Sequence, residues 1–303
     1  MGDNRGGADV SKKLLLILNP ISGKKVGKRH LANVVEAFCR GDYLPTVCVT
    51  TARGDAHRLA YTHGGEADLV VCLGGDGTFN EVVSGMLEAG HTTPLGYIPC
   101  GSTNDFAAGI GLHKSIPKAT NAILEGTPHT YDVGMFGDRY FSYVASFGAF
   151  TRASYATPQN VKNALGHLAY VLEGVKELSH IRAWTVRVEV DGMVVEGEFL
   201  FGAISNSTSL GGVLKMDPSV VDMNDGLLEL LLIRKPRNAI ELSECVRALL
   251  EHRYDYKNIT FITGSEFTIT ADPTMDWTLD GEMGQGSDKI HIRNCKSAIT
   301  LIH

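Results

Sequence analysis

Along the first part of the chain, short apolar runs alternate with stretches whose apolar residues recur every third or fourth position. Leu14–Leu18, Leu69–Leu73 and Leu95–Ile98 are unbroken runs of the length expected for strands covered on both faces, and Thr46–Thr51 reads as a further strand. Helices are expected through Leu31–Phe38, over Asp55–His63, from Phe79 to Leu87 and near Ala119–Leu124, the last with Pro117 as a starter. Such alternation predicts a parallel, doubly wound sheet, whose ligands bind beyond the carboxyl ends of the strands. Three turn-forming segments fall at that edge: Asn19–Gly23, Gly74–Thr78 and Pro99–Asp105.

After about Tyr131 the pattern changes. Asp132–Phe136 and Tyr140–Phe147 read as strands with a turn at Asp138. Arg182–Val190 alternates around Trp184, Val186, Val188 and Val190 and runs into Asp191-Gly192, a hairpin signal, with Met193–Ile204 as the returning strand. Leu227–Ile233, Ile259–Ile262, Phe267–Thr270 and Lys289–Ile292 add strands, and Asn238–His252 reads as a helix between two of them. An amphipathic helix is expected over Asn163–Leu178, packed on a sheet. The second half is therefore expected to be an antiparallel sandwich. The expected division is an α/β domain over 1–130, rejoined by a C-terminal strand at about 296–303, and a sandwich domain over 131–295.

The 303 residues are 44% hydrophobic and 20% charged, an ordinary globular composition. A net charge of −6 argues against a general nucleic-acid binder. Six scattered cysteines without a Cys-x-x-Cys pair argue against zinc and suit a reducing cytosol. No apolar signal core opens the chain, and no stretch has the ~18 apolar residues of a membrane span. A cytoplasmic protein is expected, whose contact with lipid would be peripheral, at the inner face of the membrane.

The chemistry-bearing unit is strand, glycine turn and helix over Asp68–Glu81. Its glycines let backbone N–H groups approach an anion, and a helix start adds partial positive charge. Asp76 within that turn suits a Mg²⁺ ion or a water beside phosphates, or equally an N-cap. Asp222 and Asp225, clustered before a strand, suit a hard cation, although acidic turns are commonly just turns. Asp280, at the rim in Leu279-Asp280-Gly281-Glu282, can serve as a general base if it reaches a hydroxyl.

Asn19-Pro20-Ile21-Ser22-Gly23, Gly74-Gly75-Asp76-Gly77-Thr78 with Asn80-Glu81, Pro99-Cys100-Gly101-Ser102-Thr103-Asn104-Asp105, Asp222/Asp225-Gly226 and Leu279-Asp280-Gly281-Glu282 together resemble the soluble bacterial diacylglycerol kinase family. Sphingosine and ceramide kinases share its catalytic domain. The resemblance runs from Leu14 to the final strand. The central glycine motif alone also resembles NAD kinases and phosphofructokinases.

The resemblance implies a phosphofructokinase-like α/β/α domain, a β-sandwich domain and a site in the cleft between them. It implies ATP held by Asn19, Pro20, Ser22, Gly23, Thr50, Gly74, Gly75, Asp76, Gly77, Thr78, Asn80, Glu81, Gly101, Ser102, Asn104 and Asp105, with Thr51 adjacent. Asp222, Asp225 and the carbonyl of Leu227 match a structural Mg²⁺ site, and Asp132 matches an acid of its network. Asp280 matches the general base, with Glu282 as the fallback. Ala107-Ala108 stand where relatives often carry a basic residue, which weakens any substrate contact there. The implied reaction moves the γ-phosphate of ATP to a lipid hydroxyl, diacylglycerol foremost. Phosphatidylglycerol, ceramide or a sphingoid base, a soluble substrate of the NAD-kinase kind, and a non-catalytic lipid- or nucleotide-binding regulator are the alternatives. The partner is a lipid at the membrane surface rather than nucleic acid, and family resemblance makes a homodimer plausible. The basic cluster Lys24, Lys25, Lys28, Arg29 and His30 is expected to neutralise phosphate or touch anionic headgroups. Charge reversal at Lys24 and Lys25 should then weaken activity or vesicle binding; leaving both unchanged excludes this role.

Overall fold

A computed structural model describes residues 11–149, 182–210 and 214–303. The helix expected over 163–178 lies outside them. Four strands, β1 (Lys12–Leu18), β2 (Tyr43–Val49), β3 (Leu69–Gly74) and β4 (Leu95–Pro99), form a parallel sheet in the order β2-β1-β3-β4. Helices α1 (Val26–Arg40), α2 (Asp55–His63), α3 (Asp76–Glu88), α4 (Asp105–Gly109) and α5 (Ile116–Glu125) connect and cover it. The unbroken apolar runs are explained by burial on both faces. Leu14, Leu16 and Leu18 pack with Val34 and Phe38 of α1 and Ile123 of α5. Leu15 and Ile17 pack with Leu59 of α2 and Phe79, Val82 and Val83 of α3. Pro117 is the second residue of α5, where its missing N–H costs nothing.

Among the described residues the other strands pair antiparallel with one another: β5 (Pro128–Phe136), β6 (Arg139–Phe141), β7 (Val144–Gly148), β8 (Trp184–Val190), β9 (Met193–Ser205), β10 (Ser209–Leu210), β11 (Leu214–Lys215), β12 (Leu228–Arg234), β13 (Ile259–Gly264), β14 (Glu266–Ala271), β15 (Trp277–Leu279), β16 (Glu282–Gly284) and β17 (Lys289–Ile302). Helix α6 (Ala239–Leu250) joins β12 to β13 and is capped by the Asn238 side chain, which accepts the Glu241 N–H. Strand β9 pairs with β8 along its first half and with β7 and β12 along its second, which folds the sheet over a core of Trp277, Phe147, Phe199, Phe267 and Leu230. The β8–β9 hairpin turns on Asp191 (φ 46°) and Gly192 (φ 77°), so both turn residues take the positive φ that its Asp-Gly sequence predicts.

Several expected bounds shift: the helix expected through Leu31–Phe38 runs over Val26–Arg40, the strand at Asp132–Phe136 begins at Pro128, and those at Lys289–Ile292 and about 296–303 are the single β17. The strand expected at Thr46–Thr51 begins at Tyr43 and ends at Val49, because pairing with β1 starts at Lys12. The single strand expected over Tyr140–Phe147 is broken at Ser142 and Tyr143, whose N–H groups bond the Asp280 carboxylate instead of a neighbouring strand.

Strand β17 belongs to both sheets. Its first part pairs with β14, it pairs with β5 on both sides of a register shift between Cys295 and Ile299, and Leu301 lies opposite Leu95 of the parallel sheet. The fully buried Leu301 packs in the core of the first sheet. Leu301→Ala should lower unfolding free energy by about 2–5 kcal/mol in urea denaturation. A change under about 0.5 kcal/mol, the range of an exposed site, would show that this end of β17 is not anchored.

Candidate active site

The three turns at the carboxyl edge touch through glycines. Gly23 has φ +46°, and a Cβ there would lie 1.7 Å from the Cys100 carbonyl oxygen, so the first turn lies directly on the third. A Cβ at Gly101 would lie 2.6 Å from the Gly75 Cα, and one at Gly74 would lie 2.6 Å from the Thr78 Cβ. Gly74 and Gly101 are therefore required for lack of space, while Gly75, extended at φ −97°, would bring a Cβ to 3.0 Å from the Gly101 Cα. Asn19 ties the first turn to the second, donating from Nδ2 to Thr78 Oγ1 at 2.9 Å and accepting the Ile21 N–H at 3.1 Å.

A cleft of about 900 Å³ opens over the first two turns, and no residue of the third lines it. Of the residues expected to hold nucleotide, Asn19, Pro20, Ser22, Thr50, Gly75, Gly77, Thr78 and Glu81 line it, as do Thr51 and, from the basic cluster, Lys28. Its floor includes the first turn of α3, whose N-cap Gly75 brings no side chain to the orphan N–H groups. Glu282 reaches the same cleft from the second lobe.

The other expected residues stand behind the wall. Asp76 is neither N-cap nor bound to the turn's own backbone: it is the first residue of α3, and its carboxylate accepts N–H groups of Asn104, Asp105 and Phe106 at the start of α4. Burial pushes Asp76 up to about 6, helped by the charge of Asp105 and opposed by those N–H groups. Asn104 (φ 56°) closes its own turn, accepting the Gly101 N–H at 2.8 Å and donating to the Gly101 carbonyl at 3.1 Å. Asp105 accepts the Ser209 hydroxyl at 2.6 Å, and Asn80 accepts the Ser142 hydroxyl at 3.2 Å, so both bridge the lobes. Glu81 caps α2 by accepting the N–H groups of Gly54 (2.9 Å) and Ala56 (3.1 Å). Ser102 is exposed on the third turn, outside the cleft lining.

Asp280, at φ 50° in the β15–β16 turn, is 5% exposed and faces inward. Its carboxylate accepts the N–H groups of Ser142 (2.5 Å), Tyr143 (3.0 Å) and Val144 (3.0 Å). Burial pushes it up to about 7 against these bonds, and the charge of Asp76 adds to the rise. The buried Tyr143 hydroxyl is raised by burial and then by Asp280, Asp105 and Asp76, so the three acids share one buried seam between the lobes.

The acidic turn lies at another part of that seam. Asp222 accepts the Asn224 N–H (3.0 Å) and Asp225 the Leu227 N–H (2.8 Å), while the Leu227 carbonyl accepts Asn294 Nδ2 (3.0 Å). Asp132 accepts the N–H groups of Gly226 (2.7 Å) and Ser297 (2.6 Å) and Asn294 Nδ2 (2.8 Å). Among the described residues no group of three His, Cys, Asp or Glu side chains is arranged to hold a metal. Two carboxylates and a carbonyl nevertheless suit a hard cation, and two buried oxygens of the seam, Glu229 Oε2 and Asn294 Oδ1, have no hydrogen-bond partner among the described residues. Burial, then the charges of Asp225, Asp222 and Asp132, push Glu229 up to about 8, which is the potential a cation would relieve.

Sequence reasoning missed Arg53 and Asp55. Asp55 accepts the N–H groups of Thr51 (2.8 Å) and Ala52 (3.0 Å), which holds its carboxyl well below the usual range. Arg53 lines the cleft and pairs with Glu282 across it. The only local signal was the place of Arg53 between β2 and α2, and of Asp55 at the start of α2, at the edge where ligands bind.

Residues 13–136 match the diacylglycerol kinase catalytic domain, and residues 144–302 match the YegS C-terminal NAD kinase beta sandwich-like domain. The chain is 34% identical to the diacylglycerol kinase of Bacillus subtilis over 275 residues, 90% of each protein. It is 32% identical over 282 residues to that of Staphylococcus saprophyticus, covering 91% of this chain and 90% of the relative. Its fold is similar to the crystal structure of a diacylglycerol kinase from Bacillus anthracis, with a TM-score of 0.75 at 20% identity and 97% of each chain covered. With an α/β N-terminal part, a sandwich C-terminal part and relatives of this identity over nearly its whole length, the chain belongs to the diacylglycerol kinase family.

Proposed function

We propose that this kinase moves the γ-phosphate of ATP to the hydroxyl of a lipid, diacylglycerol giving phosphatidic acid. The observation that carries the reading is the packing of three backbone turns on one another, the first two lining one cleft, next to a turn of the second lobe that holds the buried Asp280 and brings Glu282 to that cleft. Phosphoryl transfer needs positioning and neutralisation of charge more than covalent help. The N–H groups opening α3, with Asn19, Thr50 and Thr78, would cradle the phosphates, and Lys28 would add positive charge. Asp280 would take the proton of the acceptor hydroxyl, since its proton affinity stands near neutrality and its three N–H bonds hold it in place. Asp222, Asp225 and the Leu227 carbonyl would hold Mg²⁺, which supplies a charge that ties the turn to the seam. The lipid would be met at a membrane surface: Ile21 and Met283, beside the cleft, are 74% and 66% exposed. Among the described residues no helix is long and apolar enough to cross a membrane.

Incubation with γ-labelled ATP and vesicles from a total lipid extract should yield labelled phosphatidic acid. Label confined to water-soluble product, or no transfer, would refute the reading.

Asp280→Asn should lower kcat by about 10²- to 10⁴-fold while ATP still binds. In the parent protein kcat/KM should rise with pH through about 7, as the carboxyl loses its proton. Stability should move oppositely. Because the folded carboxyl titrates near 7 and the ordinary one at 3.8, the native state holds the extra proton between those values, so stability falls as pH rises across that window. Asp280→Asn should flatten that fall in a series of denaturant titrations, and an unchanged slope would contradict the shift.

Asp222→Asn with Asp225→Asn should remove any rise in melting temperature that Mg²⁺ produces. Equal rises in the parent and the double variant would place the ion elsewhere.

A further inference from the structure

We infer that Arg53 is an electrostatic positioning residue: it neutralises Glu282 at the cleft mouth so that a polyphosphate can share the start of α3 with that carboxylate. The inference rests on the cleft being a nucleotide site. Arg53 comes from the first lobe and Glu282 from the second, and they pair Nη2 to Oε2 at 2.6 Å, with both side chains lining the cleft. The Arg53 backbone is held from both sides, because Asp55 bonds the N–H groups of Thr51 and Ala52 and Glu81 bonds that of Gly54. The guanidinium therefore leaves from a fixed point although it is 73% exposed.

On its other side, Glu282 Oε1 lies 3.7 Å from the position a Cβ would take at Gly77, in the first turn of α3. A carboxylate there competes with any phosphate for the same helix start, and two anions at such range repel. Arg53 offers five donors in a planar fork, enough to hold the carboxylate by one edge and leave the other toward the cleft. The arrangement also separates the two acids of the β15–β16 turn. Asp280 is inward and bonded only to N–H groups in the contacts above, while Glu282 is at the mouth and matched to a cation. The pair is an exposed one and adds little to stability, so its consequence is for binding.

Calorimetric titration at low salt with ATP, and separately with adenosine, tests this in Arg53→Ala, Arg53→Lys, Glu282→Gln and the Arg53→Ala/Glu282→Gln double variant. Arg53→Ala should weaken ATP binding about five- to tenfold, leave adenosine binding unchanged, and lose most of its effect near 1 M salt. Arg53→Lys should keep most of the affinity. The double variant should bind ATP within about twofold of Glu282→Gln alone, because removing the carboxylate removes the need for its partner. Parent-like binding by Arg53→Ala overturns the inference, and so does a double variant as weak as Arg53→Ala, which would mean direct phosphate contact. A parent protein that binds no ATP would instead remove the nucleotide reading of the cleft.

Discussion

Asp132 and the bulge of β17 hold the two lobes in one arrangement. The carboxylate is fully buried, and its partners are an amide donor just before the register shift, Asn294, and the N–H of Ser297 within it, together with the N–H of Gly226 in the acidic turn. A buried carboxyl group is tolerated only when such donors are supplied. Ser297, at φ 49°, is kept in the left-handed region at this place. The kink lets one strand pair with β14 at its start and lie beside β4 at its end, so the sandwich and the parallel sheet share backbone hydrogen bonds.

With the lobes placed, side chains at the seam divide into two kinds. Those that line the cleft include the small residues of the first two turns together with Lys28, Arg53, Glu81 and Glu282, and the third turn packs behind them through Gly23 on Cys100 and Gly75 on Gly101. Those behind the cleft are acids and amides whose bonds run between elements: Asp76 to α4, Asp105 to Ser209, Asn80 to Ser142. Residues that share one short motif thus do different work. Burial raises Asp76, Asp280 and Glu229 in turn to about 6, 7 and 8, so the seam carries carboxyls that titrate around neutrality. Such a seam is poised to respond to protons and cations, which a kinase cleft must also manage.

Much of the first sheet was legible because its signals are local. Leu14–Leu18 and Leu69–Leu73 needed no partner to be read as buried strands, since an unbroken apolar run that short has few other uses. Asp191-Gly192 was equally plain, because a two-residue turn with positive φ at both positions admits few residue types. The turns at the carboxyl edge followed from topology alone. The break at Ser142 was not legible, because its cause is a carboxylate 138 positions away. Arg53 was missed for the same reason: its partner lies 229 residues further on.

The amino-acid order alone determined the alternation of strand and helix, the antiparallel second half, the meeting of three turns at one edge and the family, all of which depend on periodicity or on short motifs. Tertiary structure decided which motif residues face the cleft and which brace it, the inward turn of Asp280 against the outward turn of Glu282, and the carboxyl titrations near neutrality. Those outcomes depend on burial and on charges brought together from distant parts of the chain. Neither exists until the lobes have closed on β17.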